Sequence, residues 1–178
     1  MKRFVKQIIL ISLISFYLLQ VEKGQAIVPY YYFPKIKNLE KQSLYIGKNA
    51  YQLLYIGQYE DSLNLAKLAV KINTKDEKLW LILAESQIAN KQYKNALNSL
   101  NKAEKINSNI SEIYFAKSNI YLKTSQYTKA KVALEKVVKI EPNNHKAIFQ
   151  LGNILLMEKN YLESIKLFDK STKIKPDF

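Results

Sequence analysis

At 178 residues, with 48% apolar and 24% charged side chains, the chain has room for one sizeable core and is too apolar to be disordered. Only four Gly and four Pro favour long helices over a many-turned β-fold, and the absence of Cys excludes disulfides, a thiol nucleophile and iron–sulfur ligation. The net charge of +13 is carried by Lys, with Arg3 the single Arg; bidentate phosphate and base-edge recognition prefers Arg, so the charge reads as a solvated Lys-rich surface before it reads as a nucleic-acid patch.

The chain opens with Lys2, Arg3 and Lys6, followed by an apolar run from Ile8 to Leu19 broken only by Ser12 and Ser15. A polar stretch then leads to Gly24-Gln25-Ala26, small residues at the two positions a signal peptidase reads. Residues 1–26 therefore read as an export signal, with an uncleaved anchor over Phe4 to Val21 as the open alternative; the apolar core is short against the roughly 20 residues a spanning helix needs. Cleavage after Ala26 would remove four cations and one anion and leave a charge of +10. Either way the rest of the chain is expected on the far side of a membrane, in a periplasm, thylakoid lumen or exterior.

Residues 27–42 read as a linker rich in Pro and aromatics. In Ile27-Val28-Pro29-Tyr30-Tyr31-Tyr32-Phe33-Pro34-Lys35 two prolines bracket four aromatic residues. Proline keeps such a segment extended. Three readings stand for Tyr30, Tyr31, Tyr32 and Phe33: a cap over the first repeat, a membrane-interface strip, or a docking strip for a partner.

From residue 43 one spacing governs the sequence. Tyr59, Tyr93, Tyr127 and Tyr161 stand 34 residues apart, as do Ile72, Ile106, Ile140 and Ile174, and Lys71, Lys105, Lys139 and Lys173. A polar amide precedes each of those tyrosines: Gln58, Gln92, Gln126 and Asn160. The repeats run 43–76, 77–110, 111–144 and 145–178. Each reads as two helices. In the second copy Leu79, Trp80, Leu83, Ala84, Gln87 and Ile88 form one apolar stripe, with Thr74 and Glu77 as a capping box before it. Lys91-Gln92-Tyr93 turns the chain, and Ala96, Leu97, Leu100, Ala103 and Ile106 form the second stripe.

The unit resembles the tetratricopeptide repeat, in which Leu-Gly, a Tyr-like position, Ala, Phe, Ala and Pro fall at set offsets. The fourth copy carries Leu151-Gly152, Tyr161, Phe168 and Pro176; the second carries Trp80, Leu83-Ala84, Tyr93, Ala96 and Ala103; the third carries Tyr114, Tyr121, Ala130 and Pro142. Ser62, Ser118, Ser164 and Ser171 stand where Ala or Gly is usual, and Lys117 where Leu is usual; these are expected to weaken local packing. The resemblance implies an all-α, right-handed superhelical solenoid of four helix-turn-helix repeats. Such solenoids usually carry a polar cap after the last repeat, and none follows 145–178; the expectation is a longer native protein, or a partner or second copy on that face.

In this family the first helix of each pair lines the concave face. By register that face would carry Leu44, Gly47, Tyr51, Leu54 and Tyr55, then Lys78, Leu81, Glu85 and Ile88, then Glu112, Phe115, Asn119 and Leu122, and finally Lys146, Phe149, Asn153 and Leu156. Such a groove suits an extended peptide or a helix, with Asn119 and Asn153, at one repeat position, placed to bond its backbone. The positions at which chaperone-binding members clamp a terminal carboxylate hold Gly47, Tyr51, Ile82, Glu112 and Ala116, so that clamp is not expected.

Catalytic signatures are missing. There is no P-loop, Rossmann fingerprint or HExxH, and His145, at a helix start, is the sole His, so neither a cofactor nor a metal site is expected. The expected function is a non-enzymatic scaffold that binds a protein or peptide in its groove, with Lys on the flanks improving capture of acidic partners. The signal and the Pro-aromatic segment resemble exported repeat proteins of cyanobacterial type, which implies an assembly or stability factor for a membrane complex of the photosynthetic kind. The alternative is a structural protein that self-associates through its last repeat.

Overall fold

Each 34-residue unit folds as a pair of helices, because two short apolar stripes at helical spacing are separated by a residue that leaves the right-handed region. The structure is a computed structural model and describes residues 39–176. Its helices are α1 (Leu39–Tyr55), α2 (Tyr59–Ile72), α3 (Glu77–Ala89), α4 (Tyr93–Ile106), α5 (Ser111–Lys123), α6 (Tyr127–Ile140), α7 (His145–Met157) and α8 (Tyr161–Ile174). Helix α1 starts at Leu39, so residues 39–42 of the expected linker are helical. Residues 1–26 and the segment with Tyr30, Tyr31, Tyr32 and Phe33 lie outside the described residues. No described helix is long and apolar enough to cross a membrane.

The turn inside each pair is the same four times over. Gly57, Lys91, Ser125 and Lys159 all take positive φ, between 57° and 84°. Such a residue ends a helix in a Schellman motif. In the first copy Gln58 N–H donates to Leu53 O at 2.9 Å and Gly57 N–H to Leu54 O at 3.2 Å. The recurring amide residues do double duty through their backbone: each N–H closes the first helix, and each carbonyl accepts the first bond of the second, as in Ala96 N–H to Gln92 O at 3.0 Å. Tyr93 therefore belongs to α4, not to the turn.

The turn between pairs is capped differently from the sequence expectation. Asp76, not Thr74, is the N-cap of α3: its side chain accepts from Lys78 N at 2.9 Å and Leu79 N at 3.4 Å. Thr74 contributes its carbonyl, which accepts Trp80 Nε1 at 2.9 Å. Asn144 caps α7 through Ala147 N at 3.0 Å.

The core runs between the two helix layers. Ala50, Ala84 and Ser118 are wholly buried at one repeat position, and Gly152 follows them there. A Cβ on Gly152 would lie 2.6 Å from Phe168 Cε1, so the Leu-Gly and Phe features of the fourth copy are two sides of one contact. Gly47 is likewise closed off by Leu79, whose Cδ2 would lie 2.5 Å from an added Cβ. Leu79, Leu100, Ile113, Ile120, Leu134, Ile148 and Ile154 are fully buried, each worth about 1.5–3 kcal/mol. The serines at small positions do not leave loose ends. Ser86 Oγ donates to Ile82 O at 2.9 Å, so the 2.7 Å bond between Ser62 Oγ and Ser86 Oγ has Ser62 as donor. Ser118 donates to Phe115 O at 2.7 Å, Ser164 to Gly152 O at 3.0 Å and Ser171 to His145 O at 2.9 Å. A satisfied hydroxyl costs little where an orphaned one would cost about 1–3 kcal/mol.

Candidate functional site

Which side of the stack is concave follows from which helices approach one another. The first helices of successive pairs touch, α1 with α3 and α3 with α5, whereas the second helices make no comparable approach. At α1, α3 and α5 the first-helix layer is therefore the more closely packed one, the side on which the groove is expected.

Four side-chain rows on this layer carry the expected groove residues, and they differ in how far they reach into solvent. Tyr51 is 54% exposed and Tyr55 87%. Lys78, Glu112, Lys146 and Asn153 are exposed too. Leu81, Glu85, Ile88, Phe115, Asn119 and Leu122 are half-buried. Phe115 and Leu122 pack on the core around Tyr114, Leu134 and Ile154. Phe149 leans on Phe168, ring centroids 5.3 Å apart, so it is shared between groove and core. Gly47 is buried against Leu79 and presents no groove surface.

Asn119 and Asn153 do not form a matched ladder. Asn119 Oδ1 accepts from Gln150 Nε2 at 3.3 Å, which ties α5 to α7 across the groove floor, while Asn153 faces solvent.

The electrostatic feature that register alone missed is the pair Glu85 and Glu112. Burial raises the Glu85 carboxyl above its ordinary 4.5, and the negative charge of Glu112 pushes it the same way. No ion pair reaches either carboxylate among the described residues. The signal in the sequence was a Glu at the ninth position of one repeat followed by a Glu at the second position of the next. An acidic spot thus sits mid-groove in a strongly basic chain.

A stacked-helix surface with an apolar, amide-lined inner face and exposed tyrosines defines a helical-repeat scaffold, a class that works by holding other proteins. The chain belongs to the tetratricopeptide repeat family: the family model matches residues 77–110, 111–144 and 145–178. The pair α1–α2 stands outside the matched segments and stacks on α3 like the rest. Among solved structures the fold is similar to a crystal structure of MamA, at 21% identity, TM-score 0.70, with 76% of this chain and 79% of that one covered. It is similar to TTC0263, a thermophilic repeat protein of the same family from Thermus thermophilus, at 17% identity and TM-score 0.66, over 75% and 74% of the two chains. It is also similar to YrrB, described as a family member with an unusual peptide-binding site, at 18% identity and TM-score 0.64, over 76% and 70%. No curated protein sequence matches.

Proposed function

We propose that the protein is a non-enzymatic scaffold that holds an extended peptide or a helix of another protein along the inner face of α1, α3, α5 and α7. What supports this is the approach of α1 to α3 and of α3 to α5, on the layer whose register carries Tyr51, Tyr55, Leu81, Phe115 and Asn153. Apolar rows supply area, Asn119 and Asn153 supply backbone bonding, and Lys78 and Lys146 stand at its edge. The mid-groove Glu85 and Glu112 favour a ligand with a cation at that point, while the lysine-rich flanks speed capture of acidic proteins. That YrrB carries a peptide-binding site supports a peptide as the ligand class.

The process we assign is assembly or stabilisation of a membrane complex, of the photosynthetic kind, on the exported side of a membrane. It is supported by the signal-like residues 1–26 and the Pro-aromatic strip at 29–34. The test is capture of the tagged full chain from its own cells, with soluble and membrane fractions kept apart. A membrane partner recovered with the wild type and lost with the double variant Tyr51→Ala, Asn153→Ala, at an unchanged melting temperature, is the expected result. A partner held equally by both sinks the groove assignment. Loss on deleting residues 27–35 alone would move the contact to that strip.

Self-association has its own support. Leu162 is 77% exposed, and Met157, Tyr161 and Ile165 lie exposed beside it on α7 and α8. A dimer in light scattering, returned to monomer by Leu162→Lys with Ile165→Lys, would favour that second reading.

A further inference from the structure

Two side chains away from the expected groove residues replace apolar residues by an ion pair between a buried lysine and a half-buried glutamate. Lys117 occupies the repeat position held by Leu83 and Leu151, and Glu104 the position held by Val70 and Val138. The Lys117 residue is only 8% exposed, and its Nζ pairs with Glu104 Oε2. Lys136 Nζ reaches the other oxygen, Oε1, at 3.4 Å. Such a pair is a poor source of stability compared with the Leu and Val it displaces.

Beside the pair, α4, α5 and α6 leave an open cleft of about 280 Å³. Its walls carry Tyr114, Tyr121, Lys117, Lys129 and Lys136. An adjoining recess of about 390 Å³ shares Tyr114 and Lys136 and adds Lys139. Glu104 is the one carboxylate on either wall, set against four lysines. Lys136, which also reaches Glu104, places its Nζ 4.7 Å from the Tyr114 ring centroid, and Lys129 Nζ lies 5.8 Å from that of Tyr121. Lys129 also donates to Gln126 Oε1 at 2.7 Å. Tyr114 is fixed by its own bond, from the hydroxyl to Ser108 O at 2.9 Å.

The preceding repeat gives the comparison. Trp80 and Lys102 repeat the arrangement one period earlier, with Nζ 4.3 Å from the ring and the indole N–H on Thr74 O. There Leu83 fills the place of Lys117. Only the third repeat adds the buried cation.

We infer that this cleft is a second binding site, for an acidic peptide segment whose Glu or Asp side chain enters between Lys129 and Lys136 above the Tyr114 and Tyr121 rings. The cleft has room for a single carboxylate side chain. Lysine ammoniums attract a carboxylate as point charges, without the bidentate fork that Arg offers to carboxylate and phosphate alike. The site is independent of the groove.

The probe is a fluorescein-labelled, C-terminally amidated hexaglutamate, followed by anisotropy on the full chain, with hexaglutamine as control. Saturable hexaglutamate binding is expected. Lys129→Gln with Lys136→Gln should weaken it about tenfold, and Lys129→Gln alone, at a side chain with no contact to Glu104, about threefold. Lys170→Gln removes the same charge one repeat on from Lys136 and should change it less than about twofold. The groove variant Tyr51→Ala, Asn153→Ala should leave it unaltered. Equal weakening by Lys170→Gln would reduce the effect to diffuse charge and overturn the site. So would equal binding of hexaglutamine or an unsaturable curve. Stronger displacement by phosphatidylserine vesicles than by unlabelled hexaglutamate would give the cleft to a membrane surface instead.

Discussion

Burial alone would raise the carboxyl of Glu104, yet the hydrogen bond and charge of Lys117 and the charge of Lys136 together hold it below its ordinary 4.5. Glu85 is pushed the other way, by burial and by Glu112. The linkage signs are opposite. Glu104 adds stability that is complete above 4.5 and is lost as pH falls through its lowered folded value. Glu85 favours the folded state below 4.5, and that contribution is gone once pH rises through its raised folded value, so at pH 7 its charge is a cost. Glu104→Gln should therefore destabilise at pH 7 by about 2 kcal/mol, below the full figure for a buried pair because the cleft opens to water. Glu85→Gln should stabilise by about 0.5 kcal/mol at pH 7. Both differences should shrink in urea titrations repeated at pH 3.5. Destabilisation by both variants at pH 7 would mean that the two groove carboxylates do not repel. The Glu85–Glu112 pair left a spacing signal in the sequence, but the Glu104 environment did not: Lys117 stood out as a departure, and its partner lies in the preceding repeat and is found only when α4 packs on α5.

At the scale of the helix pair, the spacing of Tyr59, Tyr93, Tyr127 and Tyr161 was read from the sequence, but the reason for the amide before each tyrosine was not. The amides recur at a backbone junction where their side chains make no cap bond. The residue that matters most to the turn is the one before, and it varies among Gly, Lys and Ser, so no spacing test exposes it. Only Gly57 takes its positive φ without strain from a Cβ, and an added Cβ there meets nothing within 4 Å. Lys91, Ser125 and Lys159 carry a cost of about 1 kcal/mol each. Lys91→Gly and Ser125→Gly should each stabilise by about 0.5 kcal/mol after the entropy of the unfolded chain is counted, and Gly57→Lys should destabilise by about the same 0.5 kcal/mol. Thermal melts of the three variants decide it. A loss on introducing Gly at 91 or 125 would show that the lysine or serine side chain, not the backbone, holds the turn.

Among the described helices every substantial contact is with the next helix or the one after it, from α1–α2 through α7–α8. Stability is then a sum of pair and neighbour terms, and it need not be uniform along the stack. The central helices α3 to α6 have neighbours on both sides, while α8 fully buries only Ser164 and Ser171 and shows Tyr161, Leu162 and Ile165 to solvent. This gradient could be read from the number of repeats, but not its steepness, which depends on the Phe168 ring resting on Gly152 and Phe149. Amide exchange of α8 should run at least about tenfold faster than that of α4 and α5, a gap of about 1.4 kcal/mol in opening energy. Phe168→Ala removes the one large ring holding α8 down. It should speed exchange in α7 and α8 while leaving α3 and α4 within about twofold of the wild type. Uniform acceleration along all eight helices would instead show the stack opening as one cooperative unit, and ligand binding at any repeat would then tighten every other.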